Sequence, residues 1–252
     1  MADIGDLKSL VGYSTCGFES RLRHLTAALA GAAGRRTPLM QTETRIVASD
    51  EDGLEAAAAL LKRGGVAVIP TDTVYGLAAH PSFPGAVARL YTIKARDAAK
   101  PVAMLAADAA AVAAAGFSLS AEARKLADEF WPGPLTLVLP SAADPSRLEG
   151  FRVPDHSWTR RLLAACGGLL RVTSANMSGC RPASDAHAAL REVGLAADLV
   201  VDGGRSPGGV PSSVFIQLPS GALRLARTGP VPPPTPPKHQ FYRHAAHRTG
   251  GF

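Results

Sequence analysis

Val66-Ala67-Val68-Ile69-Pro70-Thr71-Asp72-Thr73-Val74-Tyr75-Gly76 is the stretch on which the reading of this chain turns. Four apolar residues, three of them β-branched, form a run too short for a helix, which reads as a buried strand ended by Pro70. Two hydroxyls and a carboxylate follow at once, and Gly76 permits a close backbone approach. In open α/β sheets, ligands bind beyond the carboxyl ends of strands. The competing reading is a turn whose Thr and Asp side chains satisfy local backbone groups.

The flanking chain alternates in type. Ser49-Asp50-Glu51 is a helix-start signal leading into a helix over 53–63, which Gly64-Gly65 ends. Further helices are expected over 85–94, 108–115, 120–130, 158–166 and 186–193, with Asp108 and Ser120 as N-caps. Strands are expected over 102–105, 135–139, 169–172 and 199–201, with a late pair at 214–218 and 222–226. Strands alternating with helices and then pairing locally predict an α/β domain with a mixed sheet.

The 252 residues carry a formal charge of +6 and are 46% apolar, which excludes wholesale disorder. The charge is unevenly placed. Residues 1–48 hold six Lys/Arg and four Asp/Glu, and residues 224–252 hold five basic and no acidic residues. The intervening 49–223 is close to neutral, so the basic balance belongs to the ends and argues little for a nucleic-acid surface on the body. Three cysteines are too few and too scattered for a disulfide framework or a thiolate zinc site. No apolar run reaches the roughly 20 residues that span a bilayer. Three regions are expected: an N-terminal extension over 1–48, either solvated or an Arg-rich targeting peptide, a body over 49–229, and a Pro-rich basic tail over 230–252.

Three further clusters carry chemistry. Lys94-Ala95-Arg96, with Lys100, places three cations at a helix end, suited to a polyphosphate or simply to the helix dipole. Thr173-Ser174-Ala175-Asn176 follows a strand and offers a hydroxyl and a carboxamide, or merely a capped loop. Arg152 places a charge within a strand-like apolar segment, Phe151-Arg152-Val153-Pro154.

With Trp131-Pro132-Gly133-Pro134-Leu135-Thr136 and Asp202-Gly203-Gly204, these clusters occur in an order and spacing that resembles the YrdC family over about residues 50–229. Each motif alone is weak, but six in order are specific. The resemblance implies a twisted mixed sheet with helices around one large basic concavity. It also implies a threonylcarbamoyl-AMP synthase, a nucleotidyltransferase that makes threonylcarbamoyl-adenylate and pyrophosphate from L-threonine, bicarbonate or CO₂, and ATP. A partner enzyme then transfers the threonylcarbamoyl group to tRNA.

By that resemblance, Lys94 and Arg96 are the catalytic cations and bind ATP with Lys100, Ser174, Asn176 and Arg227. Thr71, Thr73, Arg152 and Ser212 face threonine. Magnesium would arrive with the ATP phosphates, with no dedicated protein cage. Few aromatics, 6% of the chain, and a neutral body weigh against the runner-up, a non-catalytic double-stranded RNA or tRNA-binding module on the same fold. A hydrogenase-maturation carbamoyltransferase would need zinc-finger and acylphosphatase-like domains. The chain departs from the family pattern at Ala95 (usually Gly), Leu105 (often a threonine-contacting His), Thr173 (often Pro), Pro211-Ser212-Ser213 (usually Glu-Ser-Thr) and Thr228 (Pro). The expected compartment is cytoplasmic, or mitochondrial if residues 1–48 direct import.

Overall fold

The computed structural model describes residues 44–233, which form one ten-stranded mixed sheet with helices on both faces. The strands are β1 (Arg45–Ala48), β2 (Val66–Ile69), β3 (Gly76–Ala79), β4 (Met104–Ala106), β5 (Leu135–Pro140), β6 (Leu148–Arg152), β7 (Leu169–Ser174), β8 (Leu199–Asp202), β9 (Ser213–Gln217) and β10 (Leu223–Arg227). The helices are α1 (Glu51–Leu61), α2 (Pro84–Lys94), α3 (Ala109–Ala114), α4 (Ala121–Phe130), α5 (Ser157–Ala165) and α6 (Ala186–Glu192). Across the sheet the order is β1-β8-β2-β3-β7-β4-β6-β5-β9-β10.

Local chemistry explains the helix starts. Asp50, Asp108, Ser120 and Asp185 each sit in extended conformation, and each accepts a backbone N–H from the first turn. The α1 cap is Asp50 rather than Ser49. Strand alternation then sorts the core. On β2, Val66 and Val68 point to one face, where they meet Leu90 of α2 and Ala189 of α6. Ala67 and Ile69 point to the other, toward Leu61 of α1 and Leu162 of α5. Farther along, Met104, Phe151, Leu137 and Phe215 pack under α3 and α4 on the first of these faces. Their strand neighbours Leu105, Arg152, Thr136, Val138 and Val214 face the opposite way. Among the described residues only α1 and α5 cover that second face, and they stop short of β6, β5 and β9. The uncovered half-face is a cavity.

Two strands and the C-terminal boundary depart from the sequence reading. β3 follows β2 antiparallel, Ile69 opposite Gly76, so the polar residues 70–75 are a hairpin connection rather than a strand-to-helix exit. Gly76-Leu77-Ala78-Ala79 is buried on both faces and small, so it shows neither alternation nor β-branching. β1 pairs in parallel with β8, and the sheet therefore begins at Arg45, four residues ahead of the expected body. Its one half-buried residue, Val47, leaves no pattern to read. At the other end Val231 is buried in the core beneath β9. It is held by Ser213, whose Oγ donates to its carbonyl at 2.8 Å and accepts its N–H at 2.9 Å. The packed chain thus extends past 229. The Arg-rich segment around residues 21–36 and the basic tail after 233 lie outside the described residues.

Candidate active site

The open half-face encloses a cavity of about 510 Å³. The register brings its first two polar segments together. β3 runs antiparallel to β7 with Gly76 opposite Ser174, so the start of one strand meets the end of the other. The 70–75 connection and the Ser174-Ala175-Asn176 turn therefore form adjacent walls, joined by the Ala175 N–H donating to the Tyr75 carbonyl at 2.7 Å.

Thr71 and Thr73 are almost wholly buried, and their hydroxyls lie 3.2 Å apart. Thr71 donates to the Val74 carbonyl at 2.7 Å, and Thr73 accepts from Arg152 Nη1 at 2.6 Å. Arg152 comes from β6, only 7% exposed. Its Nε donates to the Gly133 carbonyl at 3.0 Å and its Nη2 ion-pairs with Asp72. The Trp131–Leu135 turn that supplies Gly133 is closed by Trp131 Nε1 donating to Leu135 O at 2.8 Å. Burial pulls the Arg152 pKa down, and the Asp72 carboxylate pulls it back up. Asp72 is the residue the sequence reading left without a role. It keeps a buried guanidinium charged and aimed.

Ser212 precedes β9. Its Oγ lies 2.7 Å from that of Thr136 on β5, and Arg227 of β10 donates to the same hydroxyl at 3.1 Å and to the Ser212 carbonyl at 3.0 Å. Partial burial, and then the like charges of Arg152 and Arg96, lower the Arg227 pKa. Arg96 closes the rim. The loop after it folds back on its guanidinium, with Nε donating to Lys100 O at 2.9 Å and Nη2 to Pro101 O at 3.1 Å. Three guanidiniums thus line one space, and among the described residues two of them have no carboxylate partner.

Thr71, Thr73, Arg96, Arg152, Ser174, Ser212 and Arg227 all line the cavity. Lys94, Asn176 and Lys100 do not. Lys94, at 2% exposed, sits behind Ser174, where its Nζ donates to the Ser174 carbonyl, to the Asn176 carbonyl at 2.5 Å and to Asn176 Oδ1 at 3.2 Å. Burial, with the Arg96 charge second, pulls its pKa from 10.5 to about 7. Asn176 spends its amide on the Met177 and Cys180 carbonyls, at 2.8 and 2.7 Å. Lys100 is exposed and offers the cavity rim only its carbonyl. Leu105, beside Arg152 in the β4–β6 register, presents an apolar wall. Among the described residues no group of three or more His, Cys, Asp or Glu could hold a metal, and no helix is long and apolar enough to cross a membrane.

The fold and this site define a class: a mixed-sheet α/β protein with an open cavity that combines buried threonine hydroxyls with a ring of guanidiniums. A family model, Sua5_yciO_yrdC, described as telomere recombination, matches residues 59–229. The chain belongs to the Sua5/YciO/YrdC family. It is 34% identical over 189 residues to a rat protein named threonylcarbamoyl-AMP synthase, covering 70% of this chain and 66% of the relative. It is also 34% identical over 200 residues to a Mycobacterium tuberculosis H37Rv protein named putative threonylcarbamoyl-AMP synthase, covering 75% and 91%. The chain spans just over half the length of the mouse and Pyrococcus abyssi relatives, 56% of each. Among solved structures, P. abyssi Sua5 complexed with L-threonine superposes with a TM-score of 0.66 at 30% identity, covering 73% of this chain and 56% of that one.

Proposed function

We propose that the chain catalyses formation of threonylcarbamoyl-adenylate. The observation that carries this reading is the juxtaposition, in one cavity, of the Thr71 and Thr73 hydroxyls with Arg152, Arg96 and Arg227. The hydroxyl end suits a small hydroxy-amino acid, and the cationic rim suits a nucleotide polyphosphate. The names of the relatives, and the threonine bound in the P. abyssi Sua5 structure, support the same assignment.

L-Threonine and bicarbonate condense to the N-carboxylate with loss of water. One carboxylate oxygen then attacks the α-phosphorus of ATP, the bond from that phosphorus to the β-phosphate oxygen breaks, and pyrophosphate leaves. The attacking group belongs to the substrate, so the protein supplies position and charge. Arg152, held by Asp72, orients the threonine-derived carboxylate, with Thr71, Thr73 and Ser212 around it. Arg96 and Arg227 face the phosphates and offset charge developing on the leaving pyrophosphate. Ser174 contacts the nucleotide from the opposite wall, which Asn176 and Lys94 back, the Lys94 ammonium adding positive potential. The carboxylate on the cavity wall, Glu149, is already engaged by Arg171, and Asp72, outside the lining, by Arg152. Magnesium is therefore expected to ride on the ATP phosphates, where it would supply charge neutralisation.

In this reading a separate enzyme receives the adenylate and modifies tRNA, so contact with tRNA is indirect. The compartment is the cytoplasm, or the mitochondrion if residues 1–48 direct import. The test is threonine-dependent pyrophosphate release from ATP, Mg²⁺ and bicarbonate. Folded protein that releases none overturns the proposal.

A further inference from the structure

A second cavity, of about 310 Å³, lies outside the one described, on the far side of the 71–73 segment. Its lining includes Arg181, Ser184, Arg205, Ser206, Gly208 and Gly209, and no acidic residue. It is built against the threonine-bearing loop. The Gly208 N–H donates to the Asp72 carbonyl at 3.0 Å, the Gly209 N–H to the Thr73 carbonyl at 2.7 Å, and Ser206 Oγ to the Thr71 carbonyl at 2.8 Å. A Cβ at Gly208 would lie 2.7 Å from that Asp72 carbonyl, so this close approach requires glycine. A 2.7 Å bond from Ser206 N–H to Ser184 O joins the two loops that carry the arginines.

Arg181 and Arg205 are both exposed, and among the described residues neither has an ion pair or a side-chain hydrogen bond. The neighbouring carboxylates are committed elsewhere. Asp185 caps α6 through Ala188 N–H at 2.7 Å, and Asp202 accepts the Gly204 N–H at 2.9 Å. Two guanidiniums across a small polar cavity match a tetrahedral oxyanion, which each can bind as a two-toothed fork. The volume is roughly ten times the ~30 Å³ share of one liquid water, enough for one or two phosphoryl groups.

We propose that this second cavity is a phosphate-binding site, taking the oxygens of inorganic phosphate or pyrophosphate, or of an RNA backbone. Because three hydrogen bonds join its floor to the 71–73 backbone, an anion that orders the floor also orders the loop bearing Thr71 and Thr73. The site stands apart from the proposed reaction, since none of its lining residues borders the first cavity.

The test is an amide NMR titration of the full chain carrying Arg96→Ala and Arg227→Ala, which removes competing phosphate binding in the first cavity. One arm adds pyrophosphate and the other an RNA oligonucleotide without terminal phosphates. The expected result is a saturable shift of the Gly208 and Gly209 amides in at least one arm. In protein further altered by Arg181→Gln and Arg205→Gln the affinity should fall at least about tenfold. A response to pyrophosphate alone assigns the site to free anions, and a response to RNA alone assigns it to the nucleic-acid backbone. No saturable shift in either arm, or undiminished affinity without the two arginines, overturns the proposal. Both arginines are exposed and unpartnered, so the melting temperature should not change and serves as the folding control. The result does not depend on pyrophosphate release, so this proposal and the proposed reaction can fail separately.

Discussion

Arg152 on β6 donates to the Thr73 hydroxyl at 2.6 Å while pairing with the carboxylate of Asp72, the residue beside it in the chain. The hairpin connection thereby presents one side chain as an ion-pair partner and the next as a cavity-lining hydroxyl. The turn at Gly133 completes the grip on the guanidinium. The buried charge of Arg152 and the cavity-lining hydroxyl of Thr73 are therefore one unit.

Removing half of that unit should be costly. Asp72→Ala leaves a buried guanidinium uncompensated, and urea unfolding should register a loss of roughly 3–5 kcal/mol. Asp72→Ala combined with Arg152→Met, which removes both charges, should recover a substantial part of that stability without recovering activity. If the double variant is no more stable than the single one, the pair is not the source of the loss.

Lys94 should make nucleotide binding proton-linked. With its pKa near 7, the ammonium is largely neutral at pH 8 and largely charged at pH 6. Phosphates placed on the other side of Ser174 favour the charged form. ATP binding at pH 8 is thus expected to take up a proton, with the uptake fading toward pH 6. Calorimetry in buffers of different ionisation enthalpy measures it, and Lys94→Met should abolish it. The same shift makes a prediction for folding. The unfolded chain binds the extra proton between pH 7 and 10.5, so this group's contribution to stability rises with pH across that window.

Arg96 and Lys100 should behave differently, although the sequence groups them. Arg96→Ala removes a cation from the cavity rim and should lower turnover by about a hundredfold or more, with little change in stability. Lys100→Ala keeps the carbonyl that holds Arg96 and should leave turnover within about threefold. Steady-state pyrophosphate release compares the two directly.

Ala95 is the only non-glycine with positive φ among the described residues, at 49°, where it ends α2 between Lys94 and Arg96. A left-handed conformation costs an ordinary residue roughly 1–2 kcal/mol, and the added freedom of glycine in the unfolded chain offsets part of it. Ala95→Gly is expected to raise the melting temperature modestly. A fall would mean that the Cβ makes a contact worth more than the strain.

Gly229 packs directly on backbone. A Cβ there would lie 2.4 Å from the Ser213 nitrogen and 2.7 Å from the Ser212 carbonyl carbon. Gly229→Ala must displace the segment that positions Ser212 against Thr136 and Arg227. Overpacking of this kind costs roughly 1–3 kcal/mol, and the threonine KM should rise with it.

Much of the fold is legible in the sequence. Periodicity and capping residues located all six α-helices of the described residues, and of the polar residues past the strand ends Thr71, Thr73 and Ser174 line one cavity while Asn176 turns away from it. Long-range register was not legible. Nothing in Gly76-Leu77-Ala78-Ala79 signals that it returns beside Val66–Ile69, and that return is what sets Ser174 against the hairpin. Nor does residue type reveal direction: Lys94, Arg96 and Lys100 look alike in sequence, yet one backs the wall, one lines the cavity and one faces solvent. Asp72 was visible as a carboxylate among hydroxyls, but its partner lies 80 residues away.

The Ser213–Val231 clasp has a practical consequence for anyone shortening this chain. The last recognisable motif ends at Gly229, the natural place to cut. A cut there would pull a buried side chain out from under β9 and free one end of the ribbon that carries Ser212 and Arg227. Such a fragment should fold around most of its helices yet bind its ligands poorly, and that failure would be easily mistaken for a missing catalytic group. A cut after Pro233 instead keeps both partners of the clasp, so the anchor stays fastened inside the domain.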